Sequence, residues 1–499
     1  MRYHSTRDEN EKLNASAAII KGIATDGGLY IPEIIPEFTG VELEKLMRLD
    51  YMSIAEKVFG KFLEEFSSKE ISEIVSAAYK SSFDSEEIAP LHIADDKTAY
   101  LELWHGPTCA FKDVALSALP HLMKYSAEKC DVDSEICILV ATSGDTGKAA
   151  LEGFADVKGT SILVFYPEKG VSEMQRLQMA TQKGENVGVC AIKGNFDDAQ
   201  TGVKQIFSDE ELSSFLSSKD VMLSSANSIN WGRLLPQIVY YFSAYRDFVK
   251  ANLISFGDKL NFVVPTGNFG NILAGWYAGM MGLPIGKLIC ASNKNNVLTD
   301  FFVSGKYNKN RQFYCTDSPS MDILVSSNLE RLLYELSRSS EDVSLLMLSL
   351  SKEGEYEISD ALHAKLLEKF FADFSDDDEC REEIKRVWDN DKYLIDTHTA
   401  VASSVLRKYR INSGDNIPAC IVSTASPYKF SGSVLAALSK ANNEMSEFDK
   451  MKQLSKLTNT QIPKPLLGIL DNELRFTDTA EISGMKAELL RFLGINEQE

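Results

Sequence analysis

The stretch ICILVATSGDTGKAA, residues 136–150, decides the fold. Five apolar residues, three of them β-branched, run into a glycine-bearing turn, and the turn opens into an alanine-rich segment with helical spacing. That is a buried strand feeding a helix, the unit from which parallel sheets are assembled. The rhythm repeats downstream in the short apolar runs SILVF (161–165), VGVCAI (187–192), NFVVP (261–265), KLICAS (287–292) and ACIVST (419–424). Helix-like segments follow most of them, among them KAALEGFADV (148–157), SEMQRLQMATQ (172–182) and NILAGWYAGMMG (271–282). Strands alternating with helices predict an α/β fold with parallel sheets.

Upstream of residue 98 the rhythm differs. GIATDGGLYIPE (22–33) carries turn chemistry in Asp26-Gly27-Gly28, and Ile54 to Tyr79 has helical periodicity with charged faces. The region 326–395 reads as helical and highly charged, and its run Asp376-Asp377-Asp378-Glu379 reads as a solvated helix edge or loop rather than a metal site. From residue 445 the chain has Pro463 and Pro465 and then a final helix in EISGMKAELLRFLG (481–494). A length of 499 residues accommodates two to four folding units.

Composition removes several classes of function. Fifty-two Lys and Arg against 72 Asp and Glu leave a net charge of −20, a surface that repels nucleic acid and anionic lipid. The eight cysteines are scattered without a C-x-x-C pair, which disfavours a disulfide scaffold or a zinc ribbon, and no metal site is expected. The opening MRYHSTRDENEKLN has no apolar signal core and no run approaches the length of a membrane span, so the expected compartment is the cytoplasm.

Three strand-to-helix junctions carry residues suited to chemistry. In Thr142-Ser143-Gly144-Asp145-Thr146-Gly147, glycines, hydroxyls and helix N-terminal amides can nest an anion, though an ordinary capped turn has the same composition. A P-loop is excluded, because that pattern needs Gly where Thr142 stands and Ser or Thr where Ala149 stands. In Gly267-Asn268-Phe269-Gly270-Asn271, two glycines three apart can wrap backbone amides around a phosphate monoester, while the dinucleotide fingerprint G-x-G-x-x-G is missing. In HGPTCAFKD (105–113), Lys112 stands between an aromatic residue and an apolar helix start, where desolvation would free its amine as a nucleophile. On composition alone, a lysine that snorkels to solvent is the simpler reading. Cys109 reads as a packing residue.

Taken in order, HGPTCAFKD, TSGDTGKAA (142–150), VPTGNFGN (264–271) and STASPYKF (423–430) resemble the threonine synthase family in its longer bacterial and fungal form. Ser5-Thr6-Arg7, DGGLYIPE (26–33), SINWGRLLPQIVYYF (228–242) and ASNKNNVLTDFF (291–302) extend the resemblance over nearly the whole chain. It implies a two-lobed catalytic region of parallel and mixed sheets with flanking helices (pyridoxal-phosphate fold type II) over residues 96–440. An N-terminal α+β domain would span 1–95, and a helical extension, 441–499, would pack on the catalytic region. It also implies a pyridoxal 5'-phosphate cofactor. Lys112 would form its Schiff base, Gly267, Asn268, Phe269, Gly270 and Asn271 would hold its phosphate, and Thr424 would bond its pyridine nitrogen. Ser143, Gly144, Asp145 and Thr146 would face the amino-acid substrate. The implied substrate is O-phospho-L-homoserine and the products are L-threonine and phosphate. Asn230, Arg233, Asn293 and Lys294 are the candidates for the substrate's phosphate, and His398 is a neighbour of the site or a structural histidine. Ser426-Pro427-Tyr428 departs from the His-Pro-Ala expected there. Two other functions fit many of the same residues: a related lyase such as a serine/threonine dehydratase, and a non-catalytic protein that binds a phosphorylated ligand.

Overall fold

A computed structural model describes residues 1–142, 144–169, 171–439 and 445–495. Two parallel-based sheets organise the molecule. The larger runs Phe370–Phe374, Ile285–Ser292, Leu260–Pro265, Ala419–Ser423, Thr98–Glu102 and Leu91–Ile93, parallel throughout except for the last pair, which is antiparallel. The smaller runs Thr479–Ala480, Val187–Ile192, Thr160–Pro167, Glu135–Ala141 and Val221–Ser224, parallel throughout. Every apolar run read as a strand from the sequence is a strand, and their near-continuous burial is what parallel strands covered on both faces require.

Three segments differ from the reading above. Ile54 to Tyr79 lies in two helices, Tyr51–Phe62 and Ser68–Tyr79, because Ser67 and Glu70 form a capping box that starts the second. The 326–395 region is not wholly helical. Its strand Phe370–Phe374 joins the edge of the larger sheet, and Glu355–Glu357 pairs with Lys306–Asn308. The acidic run is the start of the helix Asp377–Asp391, with Asp376 as N-cap and three acids in the first turn, where the helix dipole favours them. The C-terminal segment is not purely helical either, since Thr479–Ala480 extends the smaller sheet and Met485–Phe492 packs behind it.

The N-terminal elements share a core with the rest. Tyr3–Ser5 pairs with Tyr30–Pro32, and the rings of Tyr3 and Phe62 both lie 5.4 Å from Trp231. Trp231 opens the helix Trp231–Lys250, buried along almost its whole length, so this helix is an axis around which the other layers pack. Leu91–Ile93 pairs with Thr98–Glu102, so the hairpin spans the expected domain break at 95. Among the described residues no helix is long and apolar enough to cross a membrane, and no cluster of His, Cys, Asp and Glu could hold a metal ion.

Candidate functional site

The loops that leave the C-terminal ends of strands from both sheets meet at one cavity, where open α/β sheets place their ligands. Of the residues singled out from the sequence, Lys112, Thr146, Arg233, Gly267, Asn268, Phe269, Gly270, Asn271, Thr424 and His398 line it. Gly144 and Asp145 lie behind this wall, with Asp145 Oδ2 3.8 Å from Lys112 Nζ. Ser143 is outside the described residues. A wider groove of about 610 Å³ borders His121, Lys124 and Lys158, but it has no glycine loop.

Lys112 owes its position to a tight local turn. Asp113 folds back to accept from the Thr108 amide at 2.8 Å and the Thr108 hydroxyl at 2.5 Å. Gly106 is needed beneath it, since a Cβ there would lie 2.5 Å from the Asp113 Cβ. The Phe111 amide donates to the Thr424 carbonyl at 2.8 Å, which ties the lysine turn to the end of Ala419–Ser423. Burial pushes the Cys109 thiol far above its usual range, in keeping with a packing role.

The electrostatics run against the net charge of the chain. Burial lowers the Lys112 ammonium from its usual value, Asp145 opposes this, and Lys429 and Arg233 add to it. Burial works against the Asp145 carboxylate as well, but Lys429 and Lys112 outweigh it and hold the carboxyl well below the usual range. Arg233 is buried and its guanidinium is pulled down to about 10 by burial alone. Among the described residues its guanidinium makes one hydrogen bond, Nη1 to the Ala226 carbonyl at 2.5 Å, and Nε has no acceptor. A buried guanidinium without a carboxylate is a costly feature that a bound anion would offset.

The 267–271 loop supplies further unmatched donors. Among the described residues nothing accepts from the amides of Gly267, Asn268, Phe269 or Gly270, and the Asn271 Nδ2 is buried without a partner. Asn271 is fixed by the hydroxyls of Tyr240 and Tyr241, which donate to its Oδ1 at 2.7 and 2.8 Å. Phe269 takes a left-handed φ of 65° so that the helix Gly270–Met280 can start behind it with its amides facing the cavity. Donors of this kind, around a cavity that also holds a lysine amine, fit a phosphorylated aldehyde such as pyridoxal phosphate.

Three candidates for a second phosphate site lie elsewhere. The Asn230 side chain caps the Trp231–Lys250 helix and donates to the Ile19 carbonyl at 2.9 Å. Asn293 is turned inward onto Thr316 and Asp322, at 2.8 and 2.7 Å, and so shapes the segment that carries Ser320. Lys294 is exposed, with its ammonium 4.4 Å from the Tyr314 ring centre. Neighbours in an extended segment point to opposite sides, so only some of a motif can face the cavity.

Several site residues carry no local sequence signal. The Ser320 hydroxyl accepts from Lys112 Nζ at 3.3 Å, and its amide donates to His398 Nε2 at 3.1 Å. With Nε2 an acceptor, Nδ1 of His398 carries the proton and donates to Asp396 at 2.9 Å. Asn328 grips the Asn268 carbonyl through its amide at 3.1 Å and its Nδ2 at 3.0 Å. The fully buried Arg331 holds Asn328 and the carbonyls of Tyr30 and Ile229, which joins the N-terminal sheet to the glycine loop. Lys429, beside the departing Tyr428, places its ammonium 2.8 Å from Asp145.

Known proteins resemble this chain in sequence and fold. Residues 2–79 match the family model for the threonine synthase N terminus, and 399–487 that for the threonine synthase C-terminal region. Human threonine synthase-like 1 is 38% identical over 91% of this chain, and the chain spans 61% of that relative's length. Threonine synthase of Saccharomyces cerevisiae is 35% identical over 97% of this chain and 96% of its own. The crystal structure of pyridoxal-phosphate-bound threonine synthase from Brucella melitensis superposes with a TM-score of 0.88 at 36% identity, covering 99% of each chain. The two-lobed fold-type-II architecture is therefore this chain's as well, and with a whole-length yeast relative at that identity, the chain belongs to the threonine synthase family.

Proposed function

We propose that the protein is a pyridoxal-phosphate enzyme that converts O-phospho-L-homoserine and water to L-threonine and phosphate. The observation that carries this reading is the meeting, in one cavity, of the Lys112 amine, acceptor-free amides at 267–270 and the carboxylate-free Arg233. The family likeness and the pyridoxal-phosphate-bound Brucella relative support it.

In this reading the 267–271 amides and Asn271 Nδ2 would hold the cofactor's phosphate, Thr424 would bond its ring nitrogen and Lys112 would hold it covalently. When bound, the cofactor supplies an electron sink that makes the substrate's α and β hydrogens acidic. The chain supplies the rest. Arg233 would take the substrate's phosphate, and Thr146, which lines the cavity, would face its amino-acid end. The Lys112 amine would move protons one at a time: it takes the α proton, exchanges it with solvent and then takes a β proton, which lets phosphate leave from Cγ. It would then give one proton to Cγ, which becomes the methyl group, and one back to Cα, while water adds its hydroxyl at Cβ and yields its other proton to the departed phosphate. Ser320 and Asp145 keep the Lys112 amine over the substrate throughout.

The test is phosphate release from phosphohomoserine with the product identified. In heavy-oxygen water the threonine hydroxyl carries the label, and in heavy water the methyl group gains deuterium. Homoserine, or threonine without these marks, refutes the mechanism. One observation favours a second reading: relatives at 38% identity bear the name threonine synthase-like 1. A protein that binds pyridoxal phosphate and phosphohomoserine yet releases no phosphate would establish a non-catalytic binding role instead.

A further inference from the structure

Behind the cavity wall, two lysines share one carboxylate. Asp145 lies between Lys112 Nζ, 3.8 Å from Oδ2, and Lys429 Nζ, 2.8 Å from Oδ1. Lys429 is buried and does not line the cavity, and its ammonium also donates to the Thr108 carbonyl at 3.0 Å. Gln175 Nε2 at 3.1 Å and the Ser320 hydroxyl at 3.5 Å complete the shell of Asp145. Lys429 and Asp145 would already neutralise one another as an isolated pair, so Lys112 is a second cation drawn to a carboxylate that is more than matched. We propose that Lys429 is a positioning residue: by holding Asp145 it limits that carboxylate's grip on Lys112 and keeps the Lys112 amine easy to deprotonate. This rests on reading Lys112 as the cofactor lysine.

The charges facing Lys112 come from four elements. Asp145 opens the Asp145–Phe154 helix, Lys429 lies in the Pro427–Phe430 turn, Arg233 lies in the Trp231–Lys250 helix, and Asp113 follows Lys112 itself. Asp113 is turned toward Thr108, and His398 offers Ser320 an acceptor rather than a charge. Among the described residues Asp145 is thus the one carboxylate in contact with Lys112, and it is closer to Lys429. Removing Lys429 would give Asp145 wholly to Lys112 and also delete a like charge, and both changes favour the ammonium. The turn that carries Lys429 is anchored from outside the site: the Tyr428 hydroxyl donates to the Thr460 carbonyl at 2.9 Å. Tyr428, one of the two residues that depart from the expected His-Pro-Ala, therefore ties the Lys429 turn to the C-terminal segment.

The experiment uses the full chain freed of cofactor and follows, by absorbance, the rate at which it captures added pyridoxal phosphate between about pH 6 and 11. Only the unprotonated amine attacks the aldehyde. Lys429→Gln, which keeps a donor for Thr108, should move the midpoint up by about one pH unit, a tenfold gain in proton affinity. Lys429→Arg should restore the native midpoint, and Asp145→Asn should lower it. In the Asp145→Asn background, Lys429→Gln should move the midpoint by less than half as much, because most of its effect passes through the carboxylate. A native midpoint in folded Lys429→Gln overturns the proposal. If that variant does not fold, a native midpoint at or above the ordinary lysine value of about 10.4 overturns it. A native chain that captures no pyridoxal phosphate, like a Lys112→Ala control, defeats the reading of Lys112 instead.

Discussion

Lys112 and Arg233 are two cationic side chains that line the cavity. Lys112 ends in the cavity with one hydroxyl contact, Ser320. Lys112→Ala should abolish the lysine-bound cofactor and nearly all turnover. Borohydride reduction followed by peptide mapping checks this, and the reduced pyridoxyl group should be found on the Lys112 peptide. Arg233 carries a buried charge with no carboxylate to meet it. Arg233→Met should weaken phosphohomoserine binding about ten- to hundredfold, the loss of a charge-assisted contact worth about 1.5–3 kcal/mol. The same substitution removes an uncompensated charge, so the melting temperature should hold or rise. A fall in both affinity and melting temperature would make Arg233 a structural residue.

At the scale of elements, the two glycines of the phosphate loop do different work. A Cβ on Gly267 would lie 2.7 Å from the backbone carbonyl of Ser320, whereas one on Gly270 would meet only the side chains of Asn328 and Gln237, at 3.5 and 3.8 Å. Gly267→Ala must therefore displace the segment that touches Lys112, and should cost about 1–3 kcal/mol of stability as well as cofactor affinity. Gly270→Ala should fold normally and lose cofactor affinity alone, because its methyl group has room among side chains yet is added to a residue that lines the cavity. Urea unfolding and cofactor retention after dialysis separate the two outcomes. A helix-to-helix contact sets a second limit. A Cβ on Gly153 would run into the Leu116 carbonyl, so that glycine lets the Asp145–Phe154 helix close on the helix that begins with Lys112.

Across the whole molecule, His105 joins parts far apart in sequence. Its Nδ1 lies 2.6 Å from Asp84 and its Nε2 2.9 Å from Glu102, whose other oxygen accepts from the Tyr393 hydroxyl at 2.7 Å. Burial opposes the ring's charge, but Glu102 and Asp84 outweigh it and raise its pKa above the ordinary value. A raised folded-state value means that the stabilisation is complete below the unfolded value of about 6.5 and fades as pH rises through the folded one. His105→Gln should therefore lose more stability at about pH 6 than at about pH 9. Urea midpoints at the two values measure this, and equal losses would show that the ring is uncharged in the native protein.

Much of this architecture was legible in the chain itself, because it rests on local rules. Buried parallel strands must be apolar nearly throughout, which is why ICILV, VGVCAI and NFVVP could be placed by inspection. The lysine turn and the glycine loop stood out through the ordered run of motifs that resembles a known family, since on composition alone Lys112 read as a lysine reaching to solvent. Tertiary structure decided what depends on distant partners. Ser320 and Asn328 reach the site from segments some 208 and 60 positions from Lys112 and Asn268, and nothing beside them in the chain marks them, while Lys429 lies in the quoted run STASPYKF but meets Asp145 only in the folded chain. It also turned Arg233 into the cavity while committing Asn230 to a helix cap and Lys294 to solvent, although all three had stood as equal candidates. The same holds for Phe370–Phe374 and Thr479–Ala480, which are strands only because an existing sheet edge offers them backbone hydrogen bonds. Periodicity and turn chemistry are properties of neighbours in sequence, whereas burial, charge pairing and the direction of a side chain belong to the packed molecule.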